Sequence, residues 1–413
     1  PVKTSLGLRG KSEQTAKHQE DNEAIGGMKM PTRAIHRRPG HRKIGEKISL
    51  AISTYLDANP TVEARLLSSL GGEKGKGTLS TSELRELRAY VRAALPHEDD
   101  PQGLTQLNSN MLEAWIRESG DPDSPIVKWL REGAPAGIDS HAEVTCVFPP
   151  SGKVTDPDEQ RRLHLDHEHF KNYVSMEDSP DGHDVLQHLV ENKFVKEFNS
   201  YDEVYAYLQA RPVLSKMALI TTIKNNEKKC RLILDCRVSG SNDHAVQSER
   251  ILLPGAWHVL HDVLDFSRHR RRNMLIQLLV CDFSDAFFMV PLSKAEQRYF
   301  VASYRGKYFV WLRVAQGSIN GPNLFGRLSA LVGRITQACF SPDRVRLQIY
   351  QDDPCAVLMG TKQECSRYAS TMLCLWILLG FSLATHKAQL GSEVTWIGYL
   401  FSIQDQLVRA SIK

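Results

Sequence analysis

The chain has 413 residues, 41% of them hydrophobic and 24% charged, with a net charge of +4; this balance allows a sizeable core, and so modest a global charge does not by itself announce a nucleic-acid binder. At roughly 150 residues per domain the length allows two or three domains. There is no run of 18 apolar residues, no signal-peptide-like N-terminus and no CxxC pair among the 8 cysteines, so a membrane span, secretion, a disulfide scaffold and a zinc module are not indicated and an intracellular location, cytoplasmic or nuclear, is expected.

In chain order, residues 1–45 read as a basic, disordered arm. The first 50 residues hold 11 of the 52 Lys/Arg and 5 of the 48 Asp/Glu, with "HRRPGHRK" at 36–43. Such an arm suits a polyanion, or is a solvated tail. Residues 46–165 read as a helical extension of unknown function. "ISLAISTYL" and "ELRELRAYVRAAL" have helical spacing, the second opened by a capping box from Ser80 to Glu83. Between them, "GGEKGKGT" lacks the order of a phosphate loop, because Gly77 follows Lys76, and reads as a linker. "MLEAWIRESG" and "SPIVKWLREG" are short amphipathic helices, each stopped by glycine. His164, His167 and His169 have metal-like density but no cysteine nearby, which favours a polar helix start.

From 180 the texture changes to α+β. "DVLQHLVENKFV" is helical, and "KMALITTI", "KCRLILD", "MLIQLLVCD", "YFVWLRV", "RVRLQIY" and "CAVLMG" are strands. A long helix near 362–379 and a hairpin, "VTWIGYLF", close the chain. The strand "LLVCD" ends on Asp282, and "YQDD" places Asp352 and Asp353 at the tip of a hairpin. If the two strands are neighbours, these acids converge. Like charges at that range are costly unless a cation lies between them. A carboxylate group of this kind suits Mg²⁺, which keeps waters for a phosphate-bearing substrate. The alternative is an Asp-rich turn and a capping aspartate.

Six segments in order, from about 212 to 401, resemble the reverse transcriptases of retroviruses and of long-terminal-repeat or DIRS-like retroelements. They are "KKCRLILDCRVSG", "CDFSDAFFMVPL", "AQGSINGPNLF", "YQDD", "LGFSLATHKAQLG" and "VTWIGYLF". The resemblance implies a right-hand polymerase fold: fingers and palm over 180–413, with an antiparallel palm sheet and helices packed on one face. The chain stops at Lys413 soon after the last motif, so the thumb is expected to be truncated.

The resemblance also implies roles. Asp282, Asp352 and Asp353 would be the catalytic, metal-binding acids, with the Phe283 carbonyl helping to hold the second of two Mg²⁺ ions (Mn²⁺ being an alternative). Asp285 and Ala286 would meet the triphosphate through their backbone. Phe287 stands at the steric gate against a ribose 2′-hydroxyl, or is a core ring beside Phe288. Gln316 and Gly317 would border the incoming nucleotide, with Pro322 and Phe325 packed beneath. Arg231 and Lys224 would clamp the triphosphate, Lys228 and Lys229 being rivals of Lys224. Lys387 would contact or protonate pyrophosphate, or is a surface lysine. Trp396, Gly398 and Tyr399 would form the primer grip, or Trp396 is a buried hairpin aromatic. The expected partners are a primed RNA or DNA template and deoxynucleoside triphosphates, with no membrane.

Ala315, Gly321 and Pro354 depart from the family pattern without removing a metal ligand. "SRHRRRN" at 267–273 is either a contact to a nucleic-acid backbone or a solvated loop. The expected function is RNA-directed DNA polymerisation by a retroelement. The rivals are a catalytically inactive nucleic-acid-binding remnant and, with Phe287 and the Tyr-Gln-Asp-Asp box against it, an RNA-dependent RNA polymerase.

Overall fold

The structure is a computed structural model that describes residues 39–72, 78–98, 103–152, 162–167, 170–224, 227–404 and 407–412. Most of the basic arm, residues 73–77 of the Gly-rich linker and His169 lie outside the described residues. The arm ends earlier than expected. Helix α1 (Pro39–Ala58) already includes residues 39–45, and His41 and Ile44 within it are buried. The basic composition of this stretch masks an apolar stripe that continues through Ile48, Ile52 and Tyr55.

Four more helices complete the leader: α2 (Pro60–Ser68), α3 (Thr81–Ala94), α4 (Ser109–Ser119) and α5 (Pro125–Glu132). The Ser80 hydroxyl accepts from the Glu83 N–H at 3.3 Å while the Glu83 carboxylate accepts from the Ser80 N–H at 2.7 Å, which satisfies two donors at the start of α3.

The fingers follow. Helices α6 (Val174–Glu177), α7 (Pro180–Glu191) and α8 (Tyr201–Leu208) surround strand β1 (Val195–Phe198) and the hairpin of β2 (Lys216–Lys224) and β3 (Glu227–Asp235). The last four residues of "DVLQHLVENKFV" leave the expected helix: Val195 enters β1, which pairs with β6 (Lys307–Trp311), itself paired with β5 (Val301–Tyr304). Leu186, Met217, Leu232, Phe288 and Trp311 share the fingers core.

The palm is an antiparallel sheet in the order β7-β8-β4-β9, made of β7 (Val345–Tyr350), β8 (Asp353–Gly360), β4 (Leu275–Val280) and β9 (Gln389–Gly391). Helices α10 (Gly321–Ala338) and α11 (Lys362–Leu378) cover one face, as expected. The opposite face carries an additional layer: helix α9 (Ala256–His269) and a small sheet of β10 (Glu393–Trp396), β11 (Tyr399–Gln404) and β12 (Leu407–Ile412). Burial on both faces explains the apolar run Leu278–Val280 in the second half of β4. Leu278 and Val280 point to α9 while Leu279 points to the other layer.

The leader shares that other layer. Ile48, Tyr55, Leu87, Trp115 and Leu130 lie in one continuous core with Phe325 and Leu331 of α10, Trp376 of α11 and Leu358 of β8. Every residue of α10 except Pro322 is buried. At Gly45 a Cβ would lie 2.0 Å from the Ala338 carbonyl oxygen, so only glycine lets α1 approach the end of α10 this closely.

Candidate active site

Strand register brings the acids together. β4 runs antiparallel to β8 with Val280 opposite Cys355, and two further steps along the chain lead to Asp282 on one side and Asp353 on the other. The backbone completes the junction: the Cys281 N–H donates to Pro354 O at 3.1 Å and the Phe283 N–H to Asp352 O at 2.9 Å. Pro354 itself stays in register opposite Ile349, and its carbonyl serves the ladder that its nitrogen cannot. Gln351 enters the turn at φ 55°, a left-handed conformation that is unfavourable for a residue with a side chain.

The charge of Asp282 acts on both carboxyl groups of the hairpin. Burial first, then the charges of Asp352 and Asp282, push the Asp353 carboxyl up to about 7. Asp352 is raised by burial and by Asp282, with Lys387 and Arg231 opposing. Lys387 Nζ forms an ion pair with Asp282 Oδ2. Among the described residues no three His, Cys, Asp or Glu side chains are gathered tightly enough to enclose an ion. The fit to a cation is therefore one of charge: three half-buried carboxyl groups lie at one end of the sheet, and Asp352 and Asp353 hold their charge there only with a countercharge.

The fingers supply positive charge to the same place. Lys229 and Arg231, two residues apart and so on one face of β3, both act electrostatically on the acids. Burial first, then Lys387 and Arg231, hold the Lys229 ammonium below its ordinary value, and Asp282 and Asp352 oppose that shift. Lys228 is on the opposite face, paired with Asp181. Lys224 stands at the hairpin end opposite Glu227, and its side chain lies outside the described residues. Lys229 is thus a site cation for which the sequence offered three neighbouring lysines; strand alternation from Arg231 was the signal that could have picked it out.

Asp285 and Ala286 lie in the turn after Asp282. Asp285 is left-handed at φ 53° and exposed, and Ala286 starts a short 3₁₀ turn. The two adjacent rings diverge. Phe288 is buried and stacks on Phe194 at 4.7 Å, while half-buried Phe287 stacks on Phe325 at 5.6 Å, next to Gly321. Pro322 is the exposed residue at the start of α10, and its carbonyl accepts from the Gln351 amide at 3.3 Å.

Gln316 and Gly317 dock on the fingers. Gln316 O accepts from the Leu234 N–H at 2.9 Å. Gly317 has φ 122°, and a Cβ there would lie 1.9 Å from Leu234 O. The glycine is required by this backbone contact, a reason that the expected approach of a nucleotide did not include. Beside it is an apolar cavity of about 370 Å³ lined by Tyr173, Ile220, Ile233, Asp235, Arg237 and Gly317 among others. The Tyr173 hydroxyl donates to Asp235 at 2.6 Å, and the Arg237 and Val238 N–H groups donate to its other oxygen. Burial raises the Asp235 carboxyl, and these hydrogen bonds more than offset it.

The expected primer grip divides. Trp396 is 2% exposed, sits in the core under the palm sheet and donates through Nε1 to Asp353 O at 2.9 Å. Its ring lies in the core beneath the Asp352–Asp353 turn, so of the two sequence readings of Trp396 the buried hairpin aromatic is the one observed, in place of a primer contact by the ring. Gly398 and Tyr399 are exposed at the hairpin turn, joined by half-buried Ile397. His164 and His167 are not gathered with other ligands; His167 stacks on Tyr201 at 4.0 Å.

Residues 215–401, a little under half of the chain, match the family described as reverse transcriptase (RNA-dependent DNA polymerase). Over 126 residues the chain is 32% identical to a Gag-Pol polyprotein of Walleye dermal sarcoma virus, a match covering 30% of this chain and 7% of that one. Over 130 residues it is 32% identical to a Pol polyprotein of Feline endogenous virus ECE1, covering 30% and 12%. The chain therefore spans only a small part of the curated relatives it matches. Among solved structures, a foamy viral protease-reverse transcriptase in complex with an RNA/DNA hybrid covers 62% of this chain and 30% of its own at 16% identity and a TM-score of 0.41.

Proposed function

We propose that this chain, whose residues 215–401 carry a retroviral-type reverse transcriptase domain, is an RNA-directed DNA polymerase of a retroelement that adds deoxynucleotides to a primer 3′-hydroxyl. The observation that carries the reading is the convergence of Asp282, Asp352 and Asp353 under Lys229, Arg231 and Lys387. Acids that would hold divalent cations face cations that would hold a triphosphate, with a primed template lying between palm and fingers.

Asp282, Asp352, Asp353 and the Phe283 carbonyl would bind two Mg²⁺ ions, which supply activation of the 3′-hydroxyl and neutralisation of the leaving pyrophosphate when bound. Lys229 and Arg231 neutralise charge on the phosphates, which is where it grows during transfer. Lys387, released from Asp282, reaches the same phosphates as a proton donor. Asp285 and Ala286 offer backbone N–H groups to the triphosphate, and the Phe287 ring, backed by Phe325, excludes a 2′-hydroxyl. The cavity between β3 and Gly317 accepts the template base opposite the incoming nucleotide. Gly398 and Tyr399 reach the primer strand.

The experiment is primer extension on poly(rA)–oligo(dT) with dTTP and Mg²⁺, comparing the protein with Asp352→Asn. Extension that disappears in the variant is the expected result. Absence of extension by either protein, with primer–template still bound, would make the chain a binding remnant.

A further inference from the structure

The turn that carries Asp352 and Asp353 is not held by palm strands alone. Gln351, left-handed at φ 55°, accepts a hydrogen bond on its carbonyl from Ser329 Oγ at 2.7 Å. Ser329 belongs to α10, and α10 is anchored outside the palm. Arg327 and Arg334 lie two helical turns apart, both buried. Arg327 Nε donates to Asp123 at 2.9 Å and Arg334 to both oxygens of Asp121 at 2.7 and 2.8 Å. These aspartates are on the leader loop between α4 and α5, and Arg327 also donates to Glu143 O at 2.6 Å.

The leader grips its own aspartate in turn. His41 Nε2 of α1 lies 3.0 Å from Asp121, and His41 Nδ1 accepts from Trp115 Nε1 at 3.1 Å. A second set of contacts flanks Asp282. Thr105 donates to Met289 O at 2.9 Å, Gln106 to the Ser382 hydroxyl at 3.0 Å and the Asn108 N–H to Leu379 O at 3.0 Å. Ser382 O then accepts from the Ser284 N–H at 2.8 Å, two residues after Asp282.

We infer that leader residues 105–143 are a positioning element for the catalytic turn, acting through Asp123, Arg327 and Ser329 on Gln351; the inference rests on the polymerase reading. A left-handed Gln351 is one of several conformations open to a two-residue turn, and the Ser329 hydroxyl selects it. With α10 unanchored or the hydroxyl removed, the turn relaxes and the two carboxylates move. Chemistry is sensitive to such shifts, since misplacement by about 1 Å costs roughly a hundredfold in rate. Binding of primer–template and dTTP, which draws chiefly on Lys229 and Arg231 of β3, is affected far less than the chemical step.

The test is steady-state extension by the full chain with Ser329→Ala, Asp123→Asn and the double variant. Mn²⁺ affinity of the protein alone, read by electron paramagnetic resonance, provides a measure independent of activity. Expected for Ser329→Ala are a kcat at least tenfold lower, a KM for dTTP and a Kd for primer–template within twofold, and Mn²⁺ binding weakened at least fivefold. The double variant should lose no more than about threefold beyond the worse single one, because both act through one helix. A Ser329→Ala protein with wild-type kcat and Mn²⁺ affinity overturns the inference even if Asp123→Asn fails to fold. Fully multiplicative losses overturn it too. A wild-type protein that neither extends primers nor binds Mn²⁺ overturns the polymerase reading, a different result from active wild type with an unaffected variant.

Discussion

In the metal-free protein the Asp353 carboxyl titrates near 7 because it is buried beside Asp352 and Asp282, whereas in an unfolded chain it titrates near 4. Between those values the folded state retains a proton that the unfolded state has released. Stability of the metal-free protein is therefore greatest at or below about pH 4 with respect to this group, falls as pH rises towards 7, and is flat above. Asp353→Asn should remove that slope and stabilise the metal-free protein at pH 8 by roughly 1–3 kcal/mol, discounted for residual solvent screening, while abolishing extension. Urea unfolding in a chelator at pH 5 and pH 8 checks this; equal slopes in both proteins would mean that the carboxylate is relieved by something other than a proton. At Phe287, Val should lower discrimination against UTP relative to dTTP at least tenfold, since Phe288 is committed to Phe194 and cannot take over the gate. Unchanged sugar selectivity in single-nucleotide incorporation would place the gate at another residue.

At the scale of elements, the β2–β3 hairpin separates two lysines that the sequence leaves equivalent. Lys228 is tied to Asp181 on the fingers' outer side, and Lys229 shares the inner face with Arg231. Lys229→Ala should raise the KM for dTTP about tenfold, as expected when a phosphate-binding cation is removed from an electrostatically focused site, and Lys228→Ala should leave it within twofold. Equal effects would show that the hairpin end, rather than one face of β3, contacts the triphosphate. The palm strands were legible beforehand because a sheet buried on both faces leaves long apolar runs, and the acids because they interrupt those runs at a strand end and a turn. The choice among Lys224, Lys228 and Lys229 was not, since it depends on register. Trp396 was left between two readings for a related reason: an aromatic residue in a hairpin reads the same whether its ring faces a ligand or the core, and its burial and its bond to Asp353 O distinguish the two.

At the scale of the whole molecule, the leader's apolar periodicity was visible in the sequence, but periodicity identifies a face and not what covers it. The shift in composition near 165–185 suggested a boundary. The packing runs across it, and helix α10 is the reason. α10 is encased on all sides, and its two buried arginines find carboxylates in the leader. Removing the partner of such a charge costs about 3–5 kcal/mol, and a typical domain has only about 5–15 kcal/mol in total. Two arginines stranded together with the bared faces of Leu331 and Trp376 exceed that margin. A fragment of residues 153–413 should therefore lack a cooperative thermal transition and bind a hydrophobic dye, although it contains every residue of the proposed active site. Adding residues 39–152 as a separate chain should restore both the transition and primer extension, because leader and palm are held together by noncovalent packing and ion pairs that can re-form between two chains. A fragment that melts cooperatively and extends primers unaided would show that the palm supports α10 without the leader.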